Sequence, residues 1–356
     1  MKKIYKSKKL VFIIFLLFAS SIIYYSIYYD KNQNEEYTSH LSPIEYKVRN
    51  ISLSGEAALK KAELSSLTWY KDDLILLPQY PFKLGENPNG KIYKINKARI
   101  LDYINGKDTN SIEPQKILIH GEGLARFNEL GQGYESIAFN GEDVYLTIES
   151  YKNKLTQGFV IKGNINDEAT KIELDSHSLT KINPQSNIFN LSDETILIFN
   201  NEIYTIYEGN GKNINSSPYI SKFDSNLTPL GHIKFQNVEY RITDATTPEK
   251  DGKFWAINYM YSGDQEDLLP AEDEDFTKYG RGSSHKSSLT VERLLEFKII
   301  NNKIIRTETP PVNIELLKNG AGRNWEGLVK LGNYGFIIVS DYFPETILGY
   351  ISYERN

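Results

Sequence analysis

Glu135-Ser136-Ile137-Ala138-Phe139, followed after a short turn by Asp143-Val144-Tyr145-Leu146-Thr147, decides the fold class of this 356-residue chain. It is an alternating run, a turn with Asn, Gly and Asp, and a second apolar run, which reads as two antiparallel strands. The phrase recurs with variation. Ser65-Ser66-Leu67-Thr68-Trp69 precedes Asp73-Leu74-Ile75-Leu76-Leu77, and Ser186-Asn187-Ile188-Phe189 precedes Thr195-Ile196-Leu197-Ile198-Phe199. Asp244-Ala245-Thr246 precedes Lys253-Phe254-Trp255-Ala256-Ile257, and Glu326-Gly327-Leu328-Val329 precedes Gly335-Phe336-Ile337-Ile338-Val339. Repetition at tens of residues marks a radial or stacked β architecture.

Further strand candidates follow each phrase: Gly158–Ile165 and Thr170–Leu174, Pro218–Phe223 and Leu230–Phe235, Arg293–Ile300 and Lys303–Thr307. Four antiparallel strands per unit make a propeller blade. The fifth unit offers only three: Trp325–Lys330, Phe336–Ser340 and Ile347–Tyr353. A spare candidate stands at the other end, Tyr46–Leu53. Pairing it with the last unit closes the ring and hides an edge, which is otherwise an aggregation hazard. The expectation is an all-β chain, a β-propeller of five blades, or six if the 96–133 connection conceals one. A β-sandwich is the rival, and it needs no fivefold phrase.

Composition agrees. Tyr numbers 25 and Phe 16 against two Met, and aromatic residues favour strands. Cysteine is absent, which removes disulfides, thiolate metal sites and cysteine nucleophiles. From Lys31 onward 36 basic residues face 45 acidic ones, and such a body lacks the basic footprint of a nucleic-acid binder.

The first nine residues carry five Lys, and the uncharged run Leu10–Tyr29 that follows is long enough to span a bilayer. The lysines orient it with the N-terminus cytoplasmic and the body outside. The expected organisation is a basic segment 1–9, a signal-anchor helix 10–29, a polar tether 30–43 and a propeller domain 44–356. A cleaved signal peptide, giving a secreted or periplasmic body, is the alternative.

Glu135-Ser136-Ile137-Ala138-Phe139 and Asn324-Trp325-Glu326-Gly327-Leu328 resemble the opening "E-G-[IL]-A" of the phytase-like, or esterase-like, β-propeller family. The same look extends to calcium-dependent propeller lactonases and gluconolactonases. The resemblance covers about residues 50–351 and implies a metal held in a central channel by acidic and amide residues.

If the phrases superpose, Ser65, Glu135, Ser186, Asp244 and Glu326 face that channel. Converging carboxylates repel unless a cation or proton joins them. Ca²⁺, then Mg²⁺, suits such oxygen donors. The expected ligands are Glu135, Asp244 and Glu326, with Asn187 and Asn258 completing the shell and Asp341 at the mouth. Asp244 is also the candidate general base. The plainer alternative is that these acids bond backbone N–H groups or line a wet channel. With a metal, the chemistry is hydrolysis of an ester, lactone or phosphoester. Without it, the chain is a binding or scaffold propeller of the cell envelope. The acidic insertion Ser262–Lys286 reads as a solvated loop, or else as a lid or a partner-binding segment. The five His are scattered, Gly121-Glu122-Gly123 lacks a dinucleotide fingerprint, and no serine nucleophile elbow is present.

Overall fold

Alternation along the second strand of each unit explains how the chain packs. In Leu74-Ile75-Leu76-Leu77, Leu74 and Leu76 enter one apolar cluster while Ile75 and Leu77 enter another. A strand buried on both faces reads as a continuous apolar run, and side chains of period two divide it between two neighbours. Gly335–Ser340 does the same: Ile337 and Val339 face one side, Phe336 and Ile338 the other.

The computed structural model describes residues 43–354 except 86–88, 125, 127–132 and 153–154. A short N-terminal segment gives β1 (Glu45–Tyr46) and β2 (Arg49–Ile51). Five antiparallel meanders follow. The first comprises β3 (Leu64–Tyr70), β4 (Asp73–Pro78), β5 (Asn89–Asn96) and β6 (Gln115–His120). The second has β7 (Gly133–Asn140), β8 (Asp143–Lys152), β9 (Leu155–Ile165) and β10 (Lys171–Ile182). The third has β11 (Asp193–Phe199), β12 (Glu202–Tyr207), β13 (Tyr219–Phe223) and β14 (Pro229–Phe235). The fourth has β15 (Arg241–Ala245), β16 (Lys253–Met260), β17 (Val291–Ile300) and β18 (Lys303–Arg306), with β19 (Val312–Ile314) also on β17. The last has β20 (Trp325–Lys330), β21 (Gly335–Ser340) and β22 (Leu348–Ser352).

The first strands of the meanders form a closed circuit: β3 beside β7, β7 beside β11, β11 beside β15, β15 beside β20, and β20 beside β3. Five apolar clusters fill the seams between successive meanders, including the seam between last and first. The architecture is all-β and propeller-like. The 96–133 connection holds, among its described residues, β6 and one helix, α1 (Lys97–Ile104), whose N-cap Asn96 accepts from the Ala98 N–H at 3.0 Å.

The spare N-terminal strand pairs where the sequence places it. β2 adds antiparallel to β22, with Asn50 opposite Gly349. β1 pairs parallel to β19 in the fourth meander. Glu45 on β1 accepts from Ser284 N and Oγ and from His285 Nδ1 at 2.8 Å. His285 is 1% exposed, and its Nε2 accepts from the Glu292 N–H at 3.3 Å, so the neutral tautomer carries its proton on Nδ1. The expected membrane span Leu10–Tyr29 and nearly all of the tether lie outside the described residues. Among the described residues no helix is long and apolar enough to cross a membrane.

Two predictions follow from this closure. A chain beginning at residue 56 should melt well below one beginning at residue 40, because Ile51 is buried and a core side chain of that size contributes about 1.5–3 kcal/mol. Equal melting temperatures would refute the closure. The second prediction concerns acid. Burial lowers the His285 pKa, against the pull of Glu45. Burial alone would raise Glu45, but the hydrogen bonds from Ser284 and His285 outweigh it and the net shift is downward. Both folded values are depressed, so both contributions are complete above the unfolded histidine value, about 6.5, and fade as pH falls. His285→Gln should lower the melting temperature at pH 7.5 and flatten its decline between pH 7 and 5.

Candidate functional site

Each innermost strand breaks register near its start. The shift falls between Leu64 and Ser66, Tyr134 and Ser136, Asp193 and Thr195, Ile242 and Ala245, and Trp325 and Gly327. A β-bulge re-aims one side chain. In four strands the extra residue is Ser65, Glu135, Glu194 or Glu326. In β15, hydrogen bonding identifies it as Thr243. Thr243 Oγ1 donates to Trp325 O at 2.6 Å, as Ser65 Oγ donates to Tyr134 O at 2.6 Å, and each carbonyl precedes the bulge glutamate of a neighbouring strand. The bulge tier therefore holds three carboxyls and two hydroxyls.

A second tier comes from the ends of the second strands: Gln79, Glu149, Glu208, Tyr259 and Asp341. Except for Thr243, both tiers line one cavity of about 360 Å³, joined by Arg241 and Asp264. Burial and mutual repulsion push Glu135, Glu194 and Glu326 well above the usual carboxylate range. Burial raises Glu149 too, and takes Glu208 to about 7 and Asp341 to about 6. Glu194 Oε2 and Glu208 Oε2 are buried without a hydrogen-bond partner. Asp341 Oδ1 and Glu149 Oε2 are buried without a donor. Gln79 Nε2 donates to Glu135 at 3.3 Å.

Of the residues expected from sequence, Glu135, Glu326 and Asp341 share this cavity, and Ser65 joins them. Asp244 does not line it. It stands one residue beyond the bulge, on the opposite face, beneath the cavity. There it accepts from Leu328 N at 2.9 Å, Ser66 Oγ at 3.2 Å, Ser136 Oγ at 3.4 Å and Leu67 N at 3.5 Å. Burial takes its pKa to about 8 against those donors. This is the backbone-bonding role, not that of an exposed base. Asn258 is likewise removed: its Nδ2 donates to Glu239 O and Arg241 O, and its Oδ1 accepts from Arg293 Nε at 2.8 Å. Asn187 is exposed and outside the cavity lining. Ser186 precedes β11, because Thr195–Phe199 belongs to an innermost strand and not a second one.

Glu194 was missed for that reason, though a signal existed. Glu194-Thr195-Ile196 repeats the Glu-small-apolar order of Glu135-Ser136-Ile137 and Glu326-Gly327-Leu328. The small residue is a requirement of space. A Cβ on Gly327 would stand 2.8 Å from Leu67 N and 2.6 Å from a Val339 methyl. Glu149, inside β8, and Glu208, just past β12, carried no distinguishing signal in the sequence.

The insertion is docked at three of its acids, while Glu266, Asp267, Glu272 and Glu274 are exposed as a solvated loop requires. Asp264, Asp273 and Phe276 are buried. Asp264 pairs with Arg241, Asp273 with Arg293 at 2.9 Å, and Asp275 with Arg306 at 3.0 Å. Among the described residues, no three acidic or histidine side chains already surround one point as a closed metal shell would.

No family model and no curated protein matches the chain. Among solved structures it is similar to a candidate glycoside hydrolase from Parabacteroides distasonis, with 11% identity, a TM-score of 0.47, and coverage of 89% of this chain and 94% of that one. A glycosyl hydrolase from Bacteroides ovatus gives 10% identity and a TM-score of 0.45, covering 88% and 90%. A glucose dehydrogenase gives 9% and 0.42, covering 86% and 99%. Likeness this distant carries no activity across, and the all-β reading stands on the strand pairing.

Asp244→Ala should destabilise the protein by about 2–4 kcal/mol, since it leaves the Leu328 N–H and two serines without their acceptor. It should leave ligand binding in the cavity above intact, as denaturant melts and titrations on the folded fraction would measure. An unchanged stability would remove Asp244 from its structural role.

Proposed function

We propose that the chain is a five-bladed propeller of the phytase-like kind, tethered through Leu10–Tyr29 with its body outside the cytoplasm, and that its channel holds Ca²⁺ for hydrolysis of an ester, lactone or phosphoester. The observation that carries this reading is the bulge tier. Five strands place Ser65, Glu135, Glu194, Thr243 and Glu326 at one height on the innermost strands, each with an oxygen and three with a carboxyl group. Such donors suit a hard cation. The orphaned Asp341 Oδ1 and Glu149 Oε2 also favour a cation. Because the acids stand around the channel and not around one point, the ion would keep part of its water shell.

Bound there, Ca²⁺ supplies a Lewis acid that polarises the scissile bond and acidifies water. The chain's own residues do the rest. Glu135, Glu194 and Glu326 would hold the ion, in part through its water shell, with the Ser65 hydroxyl on the same wall. Of the second tier, Glu149, Glu208 and Asp341 remain to accept a proton from the attacking water, the role expected of Asp244. Tyr259 and Tyr261 wall the cavity and restrict solvent. A second reading, a non-catalytic binding propeller, is favoured because no histidine lines the cavity among the described residues.

Calcium added to the full-length protein should raise its melting temperature, because a ligand that binds only the folded state stabilises it by mass action. Glu135→Gln with Glu326→Gln should abolish that response and should itself melt higher than the wild type without metal, as repulsion is relieved. A calcium response surviving in the double variant would sink the ligand assignment. A wild type that binds calcium yet turns over no ester, lactone or phosphoester probe would leave the binding reading.

A further inference from the structure

Arg241 is the one cationic side chain on the wall of the cavity among the described residues. Its guanidinium is forked between two acids of different origin. Nη1 donates to Glu208 Oε1 at 2.5 Å, within the cluster. Nε and Nη2 donate to Asp264 Oδ2 and Oδ1, at 2.9 and 3.1 Å, on the insertion. Glu208 is 2% and Asp264 5% exposed, so neither charge is answered by bulk water. The charge of Arg241 is also felt by Glu149 and Glu326, and Glu135 and Glu194 line the same cavity. Glu149, 4% exposed, still has an Oε2 with no donor.

We propose that Arg241 is a resident counter-cation that occupies the electrostatic place of the bound ion when the channel is empty, and that Asp264 is the positioning residue that holds it away from the ring. This rests on the calcium reading of the cavity and goes beyond it: the insertion becomes part of the site and sets its cation affinity. The physical argument is competition for one set of carboxylates. A guanidinium and a Ca²⁺ ion both lower the repulsion among the acids, so the presence of one reduces what the other gains. Asp264 neutralises Arg241 bidentately from the far side. It thereby takes up charge that would otherwise fall wholly on Glu208 and its neighbours.

The two partners therefore act in opposite directions. In Arg241→Gln the competitor is gone, and the rise in melting temperature on adding calcium chloride should exceed the wild-type rise. In Asp264→Asn the arginine turns fully to the ring, and the rise should be smaller than in the wild type. A purely structural role would move both variants the same way, and that outcome, or no change in either, overturns the proposal. If calcium moves no variant, the calcium reading itself falls, and Arg241 is judged without metal. Arg241→Gln should then melt below the wild type, and adding Glu208→Gln should restore part of the loss by removing the stranded carboxylate. Failure of that rescue overturns the counter-cation role independently of calcium.

Discussion

The structure depends on one carboxylate placed where five strands meet. Asp244 leaves β15 and accepts from β3 through Ser66 and Leu67, from β7 through Ser136, and from β20 through Leu328. Ser136 in turn accepts from Ile196 N on β11 at 3.2 Å. Strands of different meanders share no ladder at the centre of the circuit, so their N–H groups there need another acceptor. A single buried acid supplies it, and the small residues Ser66, Ser136 and Gly327 at that level admit it.

What this junction fixes from below, the bulges exploit from above. Each innermost strand kinks as it leaves the junction, and the extra residue turns its side chain into the cavity. That geometry gathers acids against their repulsion. The cost appears in the raised proton affinities of Glu135, Glu194 and Glu326, and it is met in part by Arg241 and by the amide of Gln79. The fourth meander anchors the insertion from its innermost to its outer strands. Arg241, Arg293 and Arg306 each bind an aspartate of the insertion, which turns an acidic sequence run into a docked segment.

Most of the fold was legible. The strand candidates from Gly158 to Tyr353 fall on observed strands to within a few residues, with β10 running on past its candidate. The closing strand sits on β22, as the missing partner required. The third unit was misread because Ser186–Phe189 imitates an innermost strand, whereas the chain there turns through Asn190 at φ +62° before β11 begins. That error of one strand hid Glu194. A smaller slip, one residue in the fourth unit, put Asp244 in place of Thr243. With side chains of period two, one residue is the difference between the cavity and the junction beneath it.

The sequence by itself determined the all-β class, the repeated unit and the acidic character of its centre, because alternation, turn residues and composition are local properties. It could not decide which acid faces which way. That depends on bulges, which leave no composition mark and are defined only by pairing with a partner strand. Nor could it decide the state of the insertion, whose seven acids look solvated until tertiary packing brings arginines from distant strands against three of them. Local pattern set the strands. Register and long-range charge pairing, which exist only in the folded chain, set the site.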